Sequence, residues 1–171
     1  MKKLSSKFNI VLFVFFLLLY IFLVGAIFYL SAENGSSSSA SSGRVGELIA
    51  NFLNIFGANI DSCNPTFKKL VRKLVGHFGL FLVTSLSSIL MIASYKKDDK
   101  GKYLILLSSA LIGIFIAFLS EYVQSFADNR GPSVNDAFID MGGYFVPITF
   151  YLIIKFFVYF KDKKRGRVVE L

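Results

Sequence analysis

Four stretches of this chain are almost wholly apolar, and its polar residues gather between them. Phe8 to Leu30 runs 23 residues without a charge, Gly76 to Tyr95 contains only His77 at its start, Tyr103 to Ser120 contains no charge, and Met141 to Phe160 contains only Lys155. A helix of roughly 20 apolar residues crosses the hydrocarbon core of a bilayer. Lys155 lies near enough to one end for its stem to snorkel. Helices of a soluble bundle keep a polar face, and these have almost none. The pattern therefore predicts an all-α integral membrane bundle of four transmembrane helices. Lys2, Lys3 and Lys7 precede the first stretch as they would in a secretory signal. The apolar run is longer than the roughly 7–15 residues of such a signal, so it reads as an uncleaved anchor.

The connection from Ser31 to Val75 is the longest between spans, and it divides in two. Gly35 to Gly43 is mostly serine, the composition of a flexible linker. After it, Val45, Leu48, Ile49, Phe52, Leu53 and Phe56 recur at three- and four-residue spacing, while Glu47, Asn51 and Asn54 fall elsewhere. This predicts a short amphipathic helix in the first outer loop, either lying on the leaflet or packed across the top of the bundle. Asn64-Pro65 then starts another helix. Phe67, Leu70, Val71 and Leu74 form its apolar side, and Lys68, Lys69, Arg72 and Lys73 its basic side. Cys63 is the only cysteine, which leaves no intramolecular disulfide and no thiolate metal site.

Composition sharpens this picture. Hydrophobic residues make up 54% of 171 residues, with 20 Phe and a mean hydropathy of +0.61, outside the range of ordinary soluble domains. Lysine and arginine in short loops favour the cytoplasmic side. The N-terminus, the loop Lys96 to Lys102 and the tail Lys161 to Arg167 share one side and hold 12 such residues, against 6 on the other. Both termini are expected in the cytoplasm, with 1–7 as the cytoplasmic N-terminus, 8–160 as the membrane domain and 161–171 as a basic cytoplasmic tail. The net charge of +8 is thus mostly topological. A nucleic-acid partner is excluded, because no folded basic domain exists to bind one.

Candidate chemistry concentrates between the last two spans. Ser109, Gly113 and Ala117 are small residues four apart, and Glu121 continues their stripe, which should face a neighbouring helix. Gln124 lies on a similar face. Gly131-Pro132 ends the helix, and Ser133-Val-Asn-Asp136 fits a capping signature for the next. Capping does not account for Asp140, one turn further on. So short a loop makes the helices antiparallel neighbours and brings Glu121 and Gln124 toward Asp136 and Asp140. Charge near hydrocarbon is costly without partners. Those available are Arg130, His77, Arg72 and the lysines beside it, a bound cation, or a retained proton. The spacing matches no tight metal motif, and no metal or cofactor is expected.

The order Glu121-x-x-Gln124, Arg130-x-x-Ser133-x-x-Asp136, Asp140 and Gly143 resembles the VanZ-like family. The segment Tyr29 to Ser42, and Arg72-Lys73 followed by His77, are similar to that family's serine-rich and basic-plus-histidine stretches. The family commonly has Asn at the place of Asp140, and Gly near Pro147. The resemblance implies a bacterial cytoplasmic-membrane setting and a connection with resistance to the glycopeptide teicoplanin. His77, Glu121, Gln124, Arg130, Ser133, Asp136 and Asp140 are then candidate ligand-binding residues at the outer end. Three readings stay open: a protein that binds or shields a lipid-linked cell-wall precursor or glycopeptide among membrane lipids; an enzyme acting on a lipid phosphate or peptidoglycan intermediate, with Glu121 or Asp136 as base; and a structural accessory subunit. Homo-oligomer formation is compatible with each.

Overall fold

The computed structural model describes residues 2–95 and 99–164, and every regular element among them is helical. In chain order these are α1 (Lys2–Ala32), α2 (Gly35–Ile55), α3 (Pro65–Val71), a wider π-helical segment π1 (Arg72–Gly79), α4 (Leu80–Ser94), α5 (Asp99–Gln124) and α6 (Val134–Lys164). Four helical runs are long and apolar enough to span a bilayer: Asn9–Ala32, Pro65–Ser94, Gly101–Gln124 and Val134–Lys161. The second joins α3, π1 and α4 into one rod. This is the expected multi-pass helical bundle. Lys96 and Lys97 of the basic loop, and Arg165 and Arg167 of the tail, lie outside the described residues.

The helices run past their uncharged stretches, and this carries polar residues into the packed interior. Ile27 of α1, Phe81, Ile89 and Ile92 of α4, Ile116 and Ala117 of α5, and Tyr144 and Ile148 of α6 belong to the core. The small-residue stripe on α5 does face protein. A Cβ on Gly113 would sit 2.5 Å from the Tyr144 ring, and Ser109 bonds both the Tyr144 hydroxyl (2.9 Å) and Ser88 (2.7 Å). On α6, Gly143 presses against the Phe78 carbonyl so closely that any side chain would collide with it. The outward faces carry exposed apolar side chains such as Phe15, Leu18, Leu111, Phe115, Phe156 and Phe157, as a lipid-facing surface requires.

The serine tract departs from expectation: it is no linker but the first half of α2. Asn34 caps the helix from an extended conformation, its side chain accepting from the Ser37 amide at 2.9 Å. Gly35 then donates its N–H to the Asp128 carbonyl at 2.9 Å, docking the helix start on the α5–α6 loop. Only glycine fits there, because a Cβ would meet the Asn129 carbonyl. Serine is only a moderately poor helix former, so a cap and a tertiary anchor suffice. The α2 face turned inward is Ser38, Gly46 and Ala50, whereas Leu48, Phe52 and Phe56 are exposed. The helix therefore packs on the bundle, as one of the two expected arrangements has it, but through its small residues, with Gly46 against Phe67 and Val71, while most of the apolar stripe stays outward.

Candidate functional site

The polar site is built at the end of the bundle where α1 finishes. One wall is π1, whose i→i+5 turns are a form often found at functional sites. It presents Arg72, Lys73 and His77. A second wall is the last turn of α5, where Gln124 donates to Glu121 Oε1 at 2.7 Å. The third is the first two turns of α6. Here the Ser133 hydroxyl accepts from the Asp136 amide at 3.2 Å as an N-cap, and the Ser133 N–H donates to Glu121 Oε2 at 2.7 Å. The loop thus ties the α5 carboxylate to the α6 helix start.

Charges inside this end are partly matched. Lys73 pairs with Asp136 at 2.9 Å, and Arg72 approaches the same carboxylate at 3.9 Å. His77 Nδ1 lies 3.1 Å from Asp140 Oδ1 and 3.9 Å from Glu121 Oε1, while its Nε2 is 4.0 Å from Asp136 Oδ2. His77, Glu121, Gln124, Asp136 and Asp140 are all buried, Asp140 completely. Its second oxygen, Oδ2, has no hydrogen-bond partner among the described residues. His77, Glu121 and Asp140 each offer one donor atom, and the three atoms lie within 4.8 Å of one another. Such a set is able to share a proton or to hold a cation.

Arg130 does something else. Its Nη1 donates to the Leu30 carbonyl at 2.7 Å and the Glu33 carbonyl at 3.1 Å, capping the C-terminal end of α1. Burial, and then the nearby Arg72 charge, pull its guanidinium below the usual arginine value. Arg72 and Arg130 share the wall of a cavity of about 250 Å³. Its inner polar surface comes from His77, Gln124 and Asp140, its apolar surface from residues such as Ile27, Leu30, Val71 and Phe81, and five serines also line it: Ser31, Ser38, Ser41, Ser42 and Ser120.

Residues 8–155 match the VanZ/LLP1 family. The chain belongs to that family. No curated protein and no solved structure matches it. All seven candidate residues fall inside the VanZ/LLP1 match, and the fold gathers six of them, His77, Glu121, Gln124, Ser133, Asp136 and Asp140, into one connected cluster, with Arg130 on the wall of the adjoining cavity. Sequence reasoning counted Arg72 and Lys73 only as available cations, and it passed over the cavity serines. The signal for Arg72 and Lys73 was their spacing of five and four residues from His77, which places all three on one side of a widened helix. The serines of α2 gave no such signal, because their tract reads as solvated.

Proposed function

We propose that this VanZ/LLP1 membrane protein receives the anionic headgroup of a lipid-linked ligand, such as a cell-wall precursor, and thereby contributes to protection against glycopeptides of the teicoplanin type. The observation that carries this reading is the cavity, whose wall sets two arginines, Arg72 and Arg130, beside five serines and an apolar flank from Ile27 to Phe81, with Glu33 and Asp140 as its acidic members. Paired guanidiniums suit a phosphate, and apolar walls suit the first part of a lipid tail. Ligand pockets for drug-sized molecules are commonly about 300–1,000 Å³, so a cavity of about 250 Å³ fits a headgroup better than an entire glycopeptide. In the bacterial cytoplasmic membrane with both termini inside, as the lysine and arginine bias favours, this end of the bundle is outward, where such ligands are met.

The test is teicoplanin susceptibility of cells expressing wild type, Arg72→Gln or the cavity-filling Ser41→Phe, with membrane abundance quantified in the same samples. Protection by wild type that is lost in both variants at equal abundance supports the reading. Protection that survives Ser41→Phe, or that wild type does not give, overturns it. A catalytic reading draws on the buried His77–Asp140 contact at 3.1 Å. It requires Glu121→Gln to abolish turnover of a lipid phosphate while binding persists. A purely structural role requires that substitution to lower folded yield and to change nothing else.

A further inference from the structure

We propose that His77, Glu121 and Asp140 form a binding site for one divalent metal ion of the zinc or manganese class. This does not rest on the cavity ligand. It rests on distances, charge and an unmatched oxygen within the bundle.

Ligand atoms about 2.0–2.2 Å from a small cation lie roughly 3–4 Å from one another. His77 Nδ1 is 3.1 Å from Asp140 Oδ1 and 3.9 Å from Glu121 Oε1, and all three donor atoms fall within 4.8 Å. They come from π1, α5 and α6, so three separate helices have been brought to one point. A hydrogen bond alone explains the shortest of these contacts. It leaves Asp140 Oδ2, in a fully buried residue, without a hydrogen-bond partner among the described residues.

The charges argue the same way. Asp136 is met by Lys73 and Arg72. Glu121 takes its two short contacts from neutral donors, the Gln124 amide and the Ser133 N–H. Among the described residues, His77 is the only basic side chain within 4.0 Å of Glu121 or Asp140. Two buried carboxylates therefore have one imidazole in contact, with the Arg130 guanidinium only as a more distant charge acting on Glu121. A divalent ion on neutral imidazole neutralises both, which a single imidazolium does not. One imidazole nitrogen with two carboxylate oxygens suits zinc, manganese or ferrous iron better than magnesium or calcium, which favour oxygen-only sets. Around the triad, Gln124 and Ser133 orient Glu121, the outer support that such sites use. His77 and Asp140 also line the cavity, so an ion held here is open to whatever enters it.

The test uses the full chain, purified in detergent without a polyhistidine tag, stripped with chelator, equilibrated separately with zinc, manganese or magnesium, desalted and assayed by elemental analysis. Wild type should retain one zinc or manganese per chain and negligible magnesium. Asp140→Asn and His77→Gln should weaken retention by about 100-fold or more, since loss of an outer partner alone costs roughly 10–100-fold. Monodisperse wild type that retains no zinc and no manganese overturns the proposal. So does retention that is equal in wild type and a monodisperse variant. Should both variants fail to fold, cobalt titration of wild type decides: visible d–d bands that saturate at one equivalent and are displaced by zinc support the site, and their absence overturns it.

Discussion

The two halves of α6 follow opposite rules. In its first half Asp136, Ala137, Asp140, Tyr144 and Ile148 are buried; in its second, Phe150, Ile154, Phe156, Phe157 and Phe160 are exposed. The polar end is packed and the aromatic end is bare. The same inversion holds across the described residues, where buried polar side chains are as numerous as buried apolar ones, thirteen of each. In hydrocarbon an apolar side chain gains nothing by hiding, so helix association is left to small residues and polar contacts. Burial here reports where helices hold one another rather than where hydrophobicity is greatest.

Substitutions should separate the two halves sharply. Gly143→Leu should have the largest effect, about 3 kcal/mol or more, because its side chain must displace the π1 backbone at Phe78. Gel filtration of the detergent extract should show loss of the folded peak, whereas Gly25→Leu, which meets nothing within 4 Å, should leave it intact. Lys73→Met comes next. It strips Asp136 of its 2.9 Å partner and should cost about 3 kcal/mol, the low end for a broken buried pair because Arg72 remains nearby. Thermal unfolding should register that loss, and Asp136→Asn in the same chain should restore most of it.

Smaller effects sharpen the contrast from the middle of the bundle outward. Ser109→Ala removes the link between Ser88 and Tyr144 and should cost about 0.5–1.5 kcal/mol in the same unfolding assay. Phe157→Leu, on the bare half of α6, should change stability by less than about 0.5 kcal/mol. An unfolding shift at Phe157 as large as that at Ser109 would mean that the second half of α6 packs against protein after all.

The membrane fold was legible in the sequence because hydrocarbon leaves helices few polar residues to hide behind. The cluster was legible for a local reason: the connection between α5 and α6 is short and includes the helix-breaking Gly131-Pro132, so the two helices form a hairpin that brings Glu121 near Asp136 and Asp140. What could not be read depends on distant contacts. The serine tract becomes helical because Gly35 docks on Asp128 and Asn34 supplies a cap, and composition cannot report a docking site far along the chain. Arg130 stood among the natural partners for the carboxylates, yet it serves Leu30 and Glu33. The end of a helix leaves carbonyls unpaired, and nothing local to Arg130 announces that α1 ends beside it. The position of His77 against Asp140 likewise needed the widened turn of π1, which no residue pattern predicts.

That widened turn acts as a phase shifter within one rod. Each residue surplus to the α-helical repeat rotates whatever follows by about 100°. Pro65–Val71 and Leu80–Ser94 therefore keep independent angular settings although they form a single run. Arg72 and Lys73 meet Asp136 while Phe81, Ile89 and Ile92 stay in the core. The aim of the charged headpiece is set by a residue count over Arg72–Gly79, separately from the packing of the span below it.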